Sequence, residues 1–144
     1  MINVRKQLFK IAALILMLFV ITVPLVACQN AITGDEARKT ANEFFELLGN
    51  EDYDGIAALM HPSLEVTGES IATYFSDVEI DHSLDFGKGV TDVRYTGFYT
   101  SVSTDGGKYE LSGSAECGGV SFDFEINVFK TKDGAYGISY IQIS

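Results

Sequence analysis

The chain predicts an α+β fold: two to three N-terminal helices packed on an antiparallel sheet of about five strands. Three observations lead there. Apolar residues recur at helical spacing from Ala37 to Met60, the period changes to two from Val78 onward, and glycine-bearing turns divide the second half at short intervals. Helices first and strands after, with one apolar face on the strands, describe a two-layer domain whose helices cover that face.

The first helix opens on Thr33-Gly34-Asp35-Glu36, the pattern of a capping box in which the Thr33 hydroxyl and the Glu36 carboxylate satisfy each other's exposed amides. Ala37, Ala41, Phe44, Phe45 and Leu48 then form its apolar stripe, and Gly49 ends it. A second helix is expected over Asp52 to Met60, with Tyr53, Ile56, Ala57 and Met60 on one face and Pro62 beyond its end. A third, short helix is expected around Ser70 to Ser76, offering Ile71, Tyr74 and Phe75.

From Val78 to Phe86, apolar and polar residues alternate, which reads as a half-buried strand with His82 on its apolar face. Further strands are expected at Thr91–Val102, Lys108–Cys117, Val120–Lys130 and Ala135–Ile143. A two-residue Gly118-Gly119 turn sets Cys117 opposite Val120, Ala115 opposite Phe122, Gly113 opposite Phe124, Leu111 opposite Ile126 and Tyr109 opposite Val128. Every member of that face is apolar or aromatic, and small residues tend to oppose large ones. A slip of one residue would invert the faces, so the pattern specifies the register. It also places Cys117 on the core side, where a free thiol behaves as a small hydrophobe.

The N-terminus carries a different signal. Arg5, Lys6 and Lys10 precede the apolar run from Ile11 to Ala27, and the run closes on Leu25-Val26-Ala27-Cys28. Basic, apolar and small-residue regions in that order are those of an export signal. With a cysteine directly after the small residue, the segment resembles a bacterial lipoprotein signal peptide with its lipobox. The resemblance implies acylation of Cys28, cleavage before it, and an extracytoplasmic, membrane-anchored protein. The domain organisation is then signal peptide 1–27, acylated Cys28 and a short tether 28–33, and one α+β domain 34–144. Loss of the three N-terminal cations carries the formal charge from −10 to −13, leaving seven basic residues against twenty acidic ones. Such a balance disfavours nucleic acid and anionic lipid as direct partners. With Cys28 consumed by lipid, Cys117 has no partner for a disulfide.

The helical opening Ala41-Asn42-Glu43-Phe44-Phe45-Glu46-Leu47-Leu48, followed by Glu51-Asp52-Tyr53-Asp54-Gly55-Ile56-Ala57-Ala58-Leu59-Met60-His61-Pro62, resembles that of the nuclear transport factor 2-like (cystatin-like, ketosteroid-isomerase-like) superfamily. The resemblance spans residues 34–144 and implies a cone in which helices cap a curved sheet around a cavity. Members include enzymes, binders and structural modules, so it assigns no activity.

The residues that could carry chemistry are few. Asn50-x-Asp52-x-Asp54-Gly55 has part of a calcium-loop pattern, but His61 stands where a bidentate Glu is needed, and Asp52 to Gly55 also reads as a helix cap. His61 reads as the end residue of the second helix. No zinc-type cluster, phosphate loop or nucleophile elbow is present, and no cofactor or metal is expected. His82 with Tyr74, Tyr95, Tyr99, Tyr109 and Tyr140 could line a cavity. An isomerase-type site would also need an inward carboxylate, whereas Asp81, Asp123 and Glu125 are expected on the outer face. Glu110, Glu116, Asp123 and Glu125 form an acidic outer surface suited to a basic peptide or protein. The favoured expectation is therefore a membrane-anchored, non-catalytic domain binding a small molecule or a basic partner. A small cavity enzyme and a structural, homodimerising module are the alternatives.

Overall fold

The computed structural model describes residues 31–144. Among them are three α-helices, α1 (Gly34–Gly49), α2 (Tyr53–Leu59) and α3 (Gly68–His82), then four strands, β1 (Val90–Val102), β2 (Gly106–Cys117), β3 (Val120–Thr131) and β4 (Tyr136–Ile143). The strands form one antiparallel sheet in the order β1-β2-β3-β4. Register shifts in β1 and at Asn127/Val128 bend the sheet about the helices. The class is the α+β class that the sequence predicts.

The predicted capping box is present. The Glu36 amide donates to Thr33 Oγ1 at 3.2 Å, and the Thr33 amide donates to Glu36 Oε2 at 2.8 Å. Those bonds from Thr33 hold the Glu36 carboxyl below its ordinary value. Asp52 caps α2, its carboxylate accepting from the Gly55 amide at 2.9 Å, so the acidic loop serves the helix end.

One element differs from expectation. The segment expected as a first strand, Val78 to Phe86, continues α3 to His82 and then turns through a short 3-10 segment, Phe86–Lys88. Alternation and helical spacing coincide here, because Ile71, Phe75 and Val78 also fall on one helical stripe and all three are buried. No helix breaker separates Ser76 from Val78. Ser83, in the left-handed region at φ 56°, ends the helix, and the Phe86 amide donates to Glu79 Oε1 at 2.7 Å to fix the exit. The sheet thus has four strands, Ile80 is 75% exposed, and His82 stands exposed in the last turn of α3 rather than on an apolar strand face.

The β2–β3 hairpin has the register read from the sequence at every one of the five pairs from Cys117↔Val120 to Tyr109↔Val128. Gly118 and Gly119 both have positive φ, 56° and 84°, as a turn that follows the strand twist requires. Burial alternates along β2 without a break, from buried Cys117 back to buried Tyr109. Gly113 must lack a side chain, since a Cβ there would collide with the Arg94 carbonyl and the Phe124 ring.

Helix α1 runs the length of the sheet. Its first residue, Gly34, lies against the Tyr109 hydroxyl, and its last, Gly49, lies against the backbone of Gly89 and Val90. The layer between is aromatic. Phe45 meets Phe124 edge-on at 4.8 Å and Phe44 at 5.1 Å; Phe75 bridges Phe44 (5.8 Å) and Phe86 (5.7 Å); Phe86 meets Phe122 at 5.9 Å. Each such pair adds about 0.5–1.5 kcal/mol beyond the burial of its area. Phe45→Ala should therefore lower unfolding free energy by about 3–5 kcal/mol in urea titrations. A loss below about 1 kcal/mol would show that the layer is not close-packed.

Candidate functional site

Phenylalanines occupy the space between helices and sheet, so the concave features lie at the margins of the domain. One is a groove of about 310 Å³ between α3 and the edge strand β4, lined by Met60, Val66, Ile71, Tyr74, Phe75, Tyr140 and Ile141, with Ser70 and Ser139 as polar members. Another is a cleft of about 520 Å³ between α1, α2 and the β3–β4 turn, whose lining includes Glu36, Lys39, Thr40, Glu43, Lys130 and Tyr136. In the cleft the charges oppose one another, and Tyr136 and Thr40 share a hydrogen bond of 2.7 Å between their hydroxyls.

The groove is assembled by the way β4 is covered. After α2 the chain meets β4 through a parallel bridge, Met60↔Ile138, with the His61 amide donating to the Ile138 carbonyl at 2.8 Å. This approach requires Gly137, because a Cβ there would stand 2.6 Å from the His61 nitrogen. The chain then departs through a 3-10 turn, Pro62–Leu64, into α3, leaving the far half of β4 to be flanked by Ile71 and Tyr74. The Tyr74 hydroxyl donates to the Ile141 carbonyl at 3.3 Å, and the Tyr140 hydroxyl donates to Gln142 Oε1 at 2.6 Å. Burial raises the Tyr74 hydroxyl above the usual tyrosine value.

Of the six residues expected to line a cavity, Tyr74 and Tyr140 meet at this groove and the other four do not. Tyr95 packs edge-on against Phe124 at 5.7 Å and donates to Asn42 Oδ1 at 2.6 Å. Tyr109 is buried and stacks on Phe98 at 6.1 Å. Tyr99 is exposed beneath the Lys108 ammonium, 5.9 Å from its ring centre, and His82 is exposed at the end of α3. The sequence reading missed Met60, Val66, Ser139 and Ile141. Ile141 alternates along its strand as a core residue would, whereas Met60 and Val66 flank a turn that leaves no periodic signal.

His61 follows the end of α2, as expected, and caps the 3-10 turn: only 4% of its surface is exposed, its Nδ1 accepts from the Ser63 amide at 3.2 Å, and its Nε2 has no partner. Its ring lies 5.5 Å from that of Phe129, reaching over side-chain-free Gly137. Thr40 and His61 are the buried polar residues among those described, so no buried carboxylate faces the core. Among the described residues no three His, Cys, Asp or Glu side chains are grouped to hold a metal ion.

Glu110, Glu116, Asp123 and Glu125 all fall on the helix-free face of the sheet, but Glu110 is paired with Lys108 at 2.9 Å. The hydrogen bond to Glu110 raises the Lys108 ammonium above its usual value. Cys117 is buried with its thiol directed to the Asp85 carbonyl, and burial pushes its ionisation up. Cys28 lies outside the described residues, as does the whole signal region. Among the described residues no helix is long and apolar enough to cross a membrane.

No protein-family model matches the chain, and no curated protein does. Among solved structures, the chain is similar to a crystal structure of an NTF2-like protein from Cytophaga hutchinsonii, at 19% identity and a TM-score of 0.48, over 78% of this chain and 98% of that one.

Burial pushes the Tyr95 hydroxyl up to about 12. Spectrophotometric titration should therefore show one tyrosine ionising well above the ordinary range, and Tyr95→Phe should remove that step alone. Persistence of the step in Tyr95→Phe would contradict the burial of the Tyr95 hydroxyl.

Proposed function

We propose that the chain is an extracytoplasmic lipoprotein, anchored through acylated Cys28, whose domain binds an apolar ligand or apolar partner side chain in the groove between α3 and β4 without transforming it. The groove carries this reading. Its volume lies at the lower end of small-molecule sites, and its walls are mostly apolar with a few placed hydroxyls, which is the usual composition of such sites. Burying apolar surface contributes roughly 25 cal/mol per Å², so a ligand of modest size could bind there with useful affinity.

The arrangement of acids supports binding over catalysis. Proton abstraction in a cavity needs a carboxylate or histidine within reach of a bound substrate. The carboxylates near the sheet point away from the core, His82 is exposed at a helix end, and the groove walls carry tyrosyl and seryl hydroxyls only. The acidic outer face supports a basic partner less well, since Lys108 already neutralises Glu110. That face is also lined by Ser112, Ser114 and Ser121, which gives little apolar surface for a sheet-to-sheet homodimer.

The anchor and the groove are tested separately. Cells fed labelled palmitate should label the wild-type chain, and Cys28→Ser should lose both label and membrane association; an unlabelled wild type would refute acylation. The domain should bind the apolar fluorophore phenylnaphthylamine, and Ser139→Trp, which fills the groove, should weaken binding at least about tenfold, or about 1.4 kcal/mol. Unchanged binding in a folded Ser139→Trp domain would refute the groove as the site.

A further inference from the structure

Three large side chains crowd one end of strand β1 and remain in solvent: Phe98 is 69% exposed, Tyr99 58% and Val102 54%. The pairing with β2 places them on both faces of the strand, Phe98 and Val102 on the helix side opposite Leu111 and Gly107, and Tyr99 on the outer side opposite Glu110. Single exposed apolar residues need no explanation, but an edge strand apolar on both faces is costly in water and open to further pairing.

This end of the sheet is also where the N-terminal tether arrives. Gly34 lies against the Tyr109 hydroxyl, and Tyr109 stacks on Phe98. Ile32 is already buried, so the link from Cys28 to the domain is Gln29, Asn30 and Ala31. Such a link reaches at most roughly 14 Å when fully extended. An anchor at Cys28 therefore holds Phe98, Tyr99 and Val102 close to the membrane surface.

Charge is distributed to suit that placement. Five of the seven basic residues after Cys28 stand at this end: Arg38 and Lys39 in the first turns of α1, and Lys108, Lys130 and Lys132 on the strands and turn beside it. Five acids stand there as well, Asp35, Glu36, Asp105, Glu110 and Asp133, so this end is close to neutral, and Glu110 is paired with Lys108 at 2.9 Å. The negative excess of the chain lies elsewhere, much of it toward the opposite end around Glu51, Asp85, Asp92 and Glu116.

We propose that the β1–β2 end of the domain rests in the headgroup interface of the membrane to which the N-terminus is attached, with Phe98, Tyr99 and Val102 inserted and the acidic end turned outward. The partner is the lipid surface itself. Aromatic rings favour that depth, and anionic headgroups repel the acidic end but not the near-neutral one, which selects the same orientation. The inference rests on the membrane anchoring proposed above, and it fixes how the groove is presented.

The chain has no tryptophan, so Phe98→Trp and Val120→Trp each give a single reporter at opposite ends of the sheet. The full chain, carried on its own anchor into phosphatidylglycerol-containing vesicles with brominated acyl chains, should show quenching of Trp at position 98 at least about twofold stronger than at 120. Equal quenching, or stronger quenching at 120, overturns the proposal. A blue-shifted but unquenched Trp at position 98 also overturns it, because the patch would then be covered by protein. Palmitate labelling run in parallel separates the two readings. Labelled protein with equal quenching defeats the orientation alone, and unlabelled protein with quenching at 98 defeats acylation alone. Protein that fails to associate with vesicles defeats both.

Discussion

The rest of the structure depends on one contact: Phe45 of α1 seated on Phe124 of β3, at the point where β2 supplies Gly113 instead of a side chain. A large residue at 113 would lift β1 and the Phe124 ring together. With glycine there, the ring lies flat enough for Phe45 to meet its edge, and for Tyr95 to meet it from β1 at 5.7 Å. Phe44, Phe75, Phe86 and Phe122 continue the interlock, and α1 is thereby fixed along the full length of the sheet. Close packing of this kind leaves no room for a ligand in the centre.

That constraint explains where the concave surfaces are. With the centre closed, space is left where the covering elements end, beside β4 and at the mouth between α1 and the β3–β4 turn. Gly137 decides the first of these. It lets the His61 backbone approach β4 closely, which covers half of that edge and leaves the other half as the floor of the groove. If the β1–β2 end faces the membrane, the polar cleft lies on the bilayer side, because both border the start of α1.

Much of the fold was legible in the sequence because its signals were redundant. The capping box at Thr33 and Glu36, the apolar stripe of α1 and the Gly118-Gly119 hairpin each admit one reading, and a register slip would have exposed Phe122, Phe124 and Ile126 together. The segment from Val78 to Phe86 was not redundant. Its alternation fits a strand, its continuity with Ile71 and Phe75 fits a helix, and packing of that stripe on the aromatic layer decided for the helix. The candidate site was less legible still. Tyr74 and Tyr140 come together, but His82 followed its misassigned segment to the surface, and His61 is buried by a contact between Met60 and Ile138 that no local pattern announces.

A filled interior, with the proposed binding beside the edge strand, can be read amide by amide in nuclear magnetic resonance spectra of residues 29–144 titrated with phenylnaphthylamine. Shifts should be confined to the amides around Ile71, Tyr74, Phe75 and Ser139 to Ile141, with Phe44, Phe86, Phe122 and Leu111 unmoved. Shifts centred on the aromatic layer would contradict it, because they would show that the interior opens to admit a ligand.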